Sequence, residues 1–283
     1  RPGCFDPKAR LEDMDVNWVE ASLSFPTFPR FCGQTFLEAK DRDLAHACVV
    51  ELSERACDRS IVPFRASPSA RRGEARAVAP GRDPRWLQGG QAARFAKLGR
   101  PLFAAVIPFT PAHGLDVLVD AFARLRAEHR EASLVVLGET SWAFPARREF
   151  KHVVLDRLAG EARHAIEFAE ETDGALKSLL SLADALIHPV LVPGSGTSIV
   201  EALHAGVPVV ASDLPAFREW LEDGRDALLV PAGDAAALAE AALAATADRG
   251  RAQKLVAQGR ALAQELFTLE RLADELEALL RGS

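Results

Sequence analysis

Between Ala185 and Ala211 the chain spells out one complete unit: an apolar run ending at His188, a loop of small residues, a helix, a Gly206-Val207-Pro208 stop and a second apolar run, Val207–Ala211. Apolar runs without alternation are expected where both faces of a parallel sheet are covered. Leu102–Phe109, Ser133–Leu137, Ala165–Phe168 and Ala227–Val230 read the same way. Between them lie segments of helical period. In Gly114–Glu128 the apolar residues Leu115, Leu118, Val119, Phe122 and Leu125 fall on one face. Further helices are expected at Ala146–Leu158, at Gly174–Leu182 with Asp173 as cap, at Pro215–Leu221 and at Ala235–Ala247 with Asp234 as cap. Two more helices close the chain. Strands and helices alternating through short connections predict the α/β class, a doubly wound parallel sheet with right-handed crossovers.

Such sheets bind ligands beyond the carboxyl ends of their strands. The loops Thr110–Gly114, Gly138–Thr140, Ala169–Asp173 and Val192–Thr197 are therefore expected to gather at one rim. The last of these leads into Gly194-Ser195-Gly196-Thr197-Ser198, with Glu201 within the first two turns of the helix that follows. Glycine lets backbone approach an anion closely. A helix start adds free N–H groups and the positive end of a dipole. Glu201, stabilised in its ionised form by that dipole, is placed to accept both hydroxyls of a ribose. The arrangement suits a nucleotide diphosphate. The structural alternative makes Ser195 or Thr197 a simple helix cap and Glu201 an ordinary first-turn acid. His113, ahead of Gly114, is a candidate phosphate contact that carries partial positive charge near pH 7, or a plain loop residue. His188 ends a strand at the same rim. His204 reads as packing, and Asp213 and Glu219 as hydroxyl contacts or turn and cap residues.

Composition narrows the rest. The 283 residues are 48% hydrophobic and 26% charged, an ordinary globular balance. No run of 18 apolar residues occurs, so no membrane span is expected. The chain opens Arg1-Pro2-Gly3 without Met or a signal-peptide pattern, as a fragment or processed product would. Cys4, Cys32, Cys48 and Cys57 form no C-x-x-C pair, which fits idle thiols in a reducing, cytoplasmic compartment and gives no metal site. Within a net charge of −6, residues 59–100 hold ten Arg and Lys against Glu74 and Asp83. This basic segment reads as a solvated linker or as a peripheral contact with an anionic membrane or an acidic acceptor. With few aromatics and no Tyr, nucleic acid is not an expected partner.

Taken jointly, Leu102–Asp116 with its helix, Ser133–Gly138, Ala183–Pro189, Gly194–Asp213 and Glu222–Pro231 resemble the C-terminal, nucleotide-sugar-binding, Rossmann-like domain of group-1 (family-4) glycosyltransferases of the GT-B fold. The resemblance covers residues 101–281. It implies residues 1–64 as a partial or reduced N-terminal, acceptor-side domain, 65–100 as a linker, 101–266 as the nucleotide-sugar domain and 267–283 as a C-terminal helix. It further implies a retaining transfer of hexose from a UDP-, GDP- or ADP-sugar to a glycan, lipid or small-molecule acceptor, with no metal and no cofactor. Gly194, Ser195, Gly196, Thr197, Ser198 and Glu201 would hold the donor.

The chain departs from the family pattern where charge is needed. Pro193 stands in place of the first of two glutamates, and Pro108 and His113 in place of an Arg and a Lys in the first βα loop. A helix dipole offers roughly half a charge. The lost contacts to a leaving diphosphate correspond to about 3–4 kcal/mol each, by analogy with oxyanion donors. Arg147, Arg148 or Lys151 are candidates to compensate. The alternative is a catalytically degenerate GT-B-like module that binds a nucleotide, a glycan or a protein partner, or a purely structural domain.

Overall fold

A computed structural model describes residues 61–62, 76–87, 95–140, 142–143, 148–158 and 160–280. The four cysteines, and residues 36–47, over which the sequence predicts a helix, lie outside the described residues. The chain divides into two compact units, Arg1–Val78 with Asp274–Ser283, and Ala79–Ala273. In the first, strands β1 (Ile61–Val62) and β2 (Arg76–Ala77) pair in parallel.

The second unit is built on β3 (Leu102–Val106), helix α1 (Leu115–Glu128), β4 (Ser133–Leu137), a short antiparallel pair β5 (Trp142–Ala143) and β6 (Arg148–Glu149), and helices α2 (Phe150–Leu155) and α3 (Gly160–His164). It continues with β7 (Ile166–Ala169), α4 (Asp173–Leu180), β8 (Ala185–His188), α5 (Thr197–Ala205), β9 (Val209–Ser212), β10 (Leu228–Val230), α6 (Ala235–Ala247), α7 (Arg249–Leu266) and the start of α8 (Leu269–Leu280). Six strands form one parallel sheet in the order β10-β9-β8-β3-β4-β7. That is the doubly wound α/β architecture expected of the GT-B C-terminal domain.

Burial explains the order. Every residue of β3, β4, β8 and β9 is buried, so these strands need cover on both faces. The apolar stripe of α1, with Leu115, Leu118, Val119, Phe122 and Leu125 all buried, packs against α6, and α7 packs along α5. Each large apolar side chain so buried contributes on the order of 1.5–3 kcal/mol. Asp184 pins the centre of the sheet. Its Oδ2 accepts from the backbone N–H of Leu102 at 2.7 Å and from Arg100 Nη1 at 2.8 Å, at the start of both β3 and β8.

Several local expectations are corrected. The helix expected at Ala146–Leu158 starts only at Phe150, and Arg148–Glu149 instead pairs with Trp142–Ala143. Thr172, rather than Asp173, caps α4, its hydroxyl accepting from Ala175 N at 3.2 Å. Pro215–Leu221 forms only a 3-10 turn over Phe217–Glu219, while Asp234 caps α6 through Ala236 N and Ala237 N as expected. Among the described residues, no helix is long and apolar enough to cross a membrane.

Candidate functional site

From β3 the chain moves outward through β4 and β7, and from β8 it moves the other way through β9 and β10. The topological switch therefore falls between β3 and β8, where doubly wound sheets open a crevice for ligands. The loops leaving these two strands are tied together there: Leu191 N and Val192 N donate to Ala112 O at 3.0 and 3.2 Å. This places His113 and the Gly194–Ser198 loop at one rim.

Helix α5 begins at that rim. Its N-cap, Gly196, has φ +70°, a left-handed conformation that L side chains avoid, and offers no capping side chain, while Ser195 Oγ stands 3.5 Å from Thr197 N. Uncapped first-turn N–H groups are the donors an anion uses. Gly194 and Ser195 are exposed, and a side-chain carbon added at Gly194 would meet no atom within 4 Å. The Ser195 and Thr197 hydroxyls share a hydrogen bond of 2.8 Å at the helix mouth. Ser198 is buried instead, its Oγ 3.2 Å from His188 Nδ1.

The two histidines are both driven towards the neutral form. Burial, assisted by the neighbouring His113, pushes His188 down to about 3, and its Nε2 is buried without a hydrogen-bond partner among the described residues. The ring stands edge-on to Phe217. Burial also lowers His113, whose Nδ1 lies 2.6 Å from Thr110 Oγ1. The ring stands at the rim as expected, but its burial works against the partial positive charge expected near pH 7.

Glu201 lies one turn into α5 and is buried, with 4% of its surface exposed. Arg82 Nη2 is 2.8 Å from its Oε1. Burial raises the carboxyl from its ordinary 4.5 to about 7; Arg82 opposes the rise, and the charges of Glu171 and Asp173 add to it. The ionised form expected from the helix dipole is thus opposed by burial and supported by Arg82.

Arg82 also lines a cavity of about 240 Å³ together with Glu139, Glu170, Glu171, Thr172, Asp173 and Leu176. Glu201 itself is not in the cavity wall and is reached through Arg82. These residues come from the loops after β4 and β7, both expected at the rim. Arg82 was not foreseen: in sequence it is one of ten basic residues in residues 59–100. The other candidates are committed elsewhere. Asp213 pairs with Arg218 through Nε and Nη2, the latter at 2.7 Å, and His204 Nε2 lies 3.2 Å from Phe267 O. Arg148 pairs with Asp156, and Arg147 lies outside the described residues. Lys151 Nζ is 3.2 Å from Thr140 Oγ1 at the rim and 2.9 Å from Glu149. Pro108 is exposed and Pro193 partly so, and neither carries charge.

A parallel sheet with a glycine-preceded helix and a buried acid at its switch point defines a doubly wound α/β protein with a candidate ligand site at that rim. The family is shown directly. Residues 100–248, slightly more than half of the chain, match the model for "Glycosyl transferases group 1", and the chain belongs to that family. A phosphatidyl-myo-inositol mannosyltransferase of Mycobacterium leprae (strain TN) is 34% identical over 171 residues, 60% of this chain and 43% of the relative. The lipopolysaccharide core biosynthesis mannosyltransferase LpsB of Rhizobium meliloti (strain 1021) is 29% identical over 170 residues, 59% of this chain and 47% of that protein. The chain thus spans less than half the length of these curated relatives. Anabaena Alr3699/HepE, solved in complex with UDP-glucose, has a TM-score of 0.73 at 19% identity, covering 86% of this chain and 69% of that one. At that identity the likeness is one of fold.

Proposed function

We propose that the Ala79–Ala273 unit binds a nucleoside diphosphate sugar and that the protein takes part in glycosyl transfer from it. The observation that carries this reading is the glycine-capped start of α5 at the switch point, with Glu201 one turn along. The backbone N–H groups of the first turn and the Ser195 and Thr197 hydroxyls would hold the diphosphate. Glu201 would accept from the ribose hydroxyls. Ser198 belongs to the support of the site rather than its surface, since its hydroxyl is spent on His188.

The retaining, metal-free course implied by the family resemblance is part of the proposal, as is a glycan, lipid or small-molecule acceptor. The names of the relatives make mannose the first sugar to try. Three basic residues of the 59–100 segment, Arg82, Arg85 and Arg100, are engaged with Glu201, Asp83 and Asp184. That leaves less of its charge for an anionic membrane surface. A nucleotide-sugar donor fits a cytoplasmic location.

One observation favours a second reading, a binding module without turnover. The first βα loop holds Pro108 and His113, whose burial disfavours its charged form, where the family resemblance implies cations, and Pro193 replaces an acid. Calorimetry with UDP, GDP and ADP, together with nucleotide release from the corresponding sugars, separates the two. Binding with release supports transfer, and binding without release supports the module. No binding by millimolar nucleotide refutes both.

A further inference from the structure

We infer that Arg82 is a positioning residue of the donor site, acting through Glu201: its guanidinium clamps Oε1 and leaves the second carboxylate oxygen for a ribose hydroxyl. The inference rests on the donor-site reading above. Four observations carry it.

First, Arg82 is delivered by docked backbone and not by a loose side chain. Its N–H donates to Phe267 O at 2.8 Å, and Arg271 Nη2 donates to Ala79 O at 2.7 Å. A side-chain carbon at Gly81 would fall 2.4 Å from Thr268 O, so only glycine lets the segment lie this close. Second, the pair is unequally buried: the Arg82 side chain is 34% exposed and that of Glu201 is 5% exposed. The acid is the member that needs the partner, because an ionised carboxylate out of water is costly unless paired and hydrogen-bonded.

Third, the surroundings of Glu201 oppose its charge. Glu171 and Asp173, on the loop after β7 and the start of α4, both push the carboxyl towards the neutral form, and Arg82 pushes back. Glu139 and Glu170 add two more carboxyls to the same cavity, where Arg82 is the basic residue among the described lining residues. Fourth, the chemistry required of Glu201 depends on its state. An ionised carboxylate only accepts, with lone pairs on both oxygens, whereas a protonated one also carries a donor and accepts less strongly. With Arg82 on Oε1, the other oxygen keeps its lone pairs for the nucleotide.

The test uses the whole chain and four variants, Arg82→Lys, Arg82→Gln, Glu201→Gln and the Arg82→Gln/Glu201→Gln pair. The Glu201 carboxyl is followed by carbon-13 NMR from pH 5 to 9 without nucleotide. UDP, GDP and ADP binding is measured by calorimetry over the same range. In the wild type the carboxyl should titrate near neutrality. Arg82→Gln should move the titration up by about one unit or more, and Arg82→Lys should restore most of it. Affinity at pH 7 should fall about fivefold in Arg82→Gln, since a one-unit rise takes the ionised fraction from about one half to about one tenth, and recover towards pH 9. The loss should vanish on the Glu201→Gln background and with a 2′,3′-dideoxynucleoside diphosphate. An unmoved titration, an equal loss with the dideoxy compound, or tighter binding by Arg82→Gln each overturns the inference. Thermal unfolding of Arg82→Lys and Arg82→Gln identifies a folding defect, in which case the Lys variant carries the comparison. If the wild type binds none of the nucleotides, the donor-site reading falls. If it binds but Arg82→Gln changes neither readout, the reading stands and the inference falls.

Discussion

The two ends of the site around α5 are furnished in opposite ways. At one end lie Glu201, Arg82 and a cavity walled by carboxyls. At the other lie two hydroxyls, backbone N–H groups of the helix start and two histidines whose burial disfavours the charged form. One cause explains both. Burial raises an acid and lowers a base, and in each case disfavours the charged form. The difference is that Glu201 has a cation to resist the shift, while His188 has a second histidine that reinforces it. A diphosphate at this rim would therefore be met by dipoles, and its ribose by a charge that has to be maintained.

The neutral end is the easier one to break. Gly196→Val forces a β-branched residue into a left-handed cap, costing roughly 1–2 kcal/mol of stability. It also moves the N–H groups that would face the phosphates. Nucleoside diphosphate affinity should drop about a hundredfold, the scale seen for loss of a preorganised donor to an oxyanion. Calorimetry on protein shown to be folded checks this. Retained affinity would mean that the diphosphate does not use this helix.

The comparison can also be read from stability alone. Glu201 has its pKa raised from 4.5 to about 7, so between those values the unfolded chain has lost a proton that the folded one keeps. Its contribution is fully present below pH 4.5 and is lost as pH rises through 7. His188 is lowered from 6.5 to about 3, so its contribution is present above pH 6.5 and lost as pH falls towards 3. From pH 4.5 to 6.5 the two slopes oppose each other at about 1.4 kcal/mol per unit. The wild type should show a nearly level contribution from this pair. Glu201→Gln should unmask the histidine slope, with about 3 kcal/mol lost on going from pH 6.5 to 4.5. His188→Phe should unmask the reverse. Denaturant unfolding across this range checks both signs, and parallel slopes in the two variants would contradict the burial account.

Glu201→Ala measures the charged end. At pH 8, where the acid is ionised, it should weaken nucleotide binding by about 2 kcal/mol, within the range for a hydrogen bond to a charged group. At pH 6 the penalty should shrink, because most of the wild-type carboxyl is already protonated. A penalty independent of pH would show that Glu201 acts by packing.

What was legible in the sequence follows the same division. Strands β3, β4, β8 and β9 were readable because burial on both faces leaves continuous apolar runs, and α1 because its stripe has one clear period. The Gly194–Ser198 loop and Glu201 were readable because they sit next to each other in the chain. The β5–β6 pair was not, since two-residue strands carry no period and Arg148–Glu149 reads equally well as the start of α2. Arg82 was hidden for a different reason. Its role depends on Gly81 lying against Thr268 and on its N–H reaching Phe267, contacts between distant parts of the chain that leave no local pattern. The protonation states were hidden too, because burial is a property of the fold.

The smallest expected effect sharpens the comparison from outside. Asp213 is a charged residue just beyond β9, and its sequence position made it a candidate hydroxyl contact. The structure gives it Arg218 as a partner in an exposed pair that holds its carboxyl below the usual range. An exposed pair is screened by water and salt and contributes little. Asp213→Ala should therefore change nucleotide affinity by about twofold or less, at every pH from 6 to 8, in line with a surface charge already engaged with Arg218. Glu201→Ala differs on both counts, in size and in pH dependence, although each variant removes one carboxylate near the same rim. If the two behaved alike, bulk charge would be what the nucleotide senses, and the contrast between a buried, clamped acid and an exposed one would have no functional content.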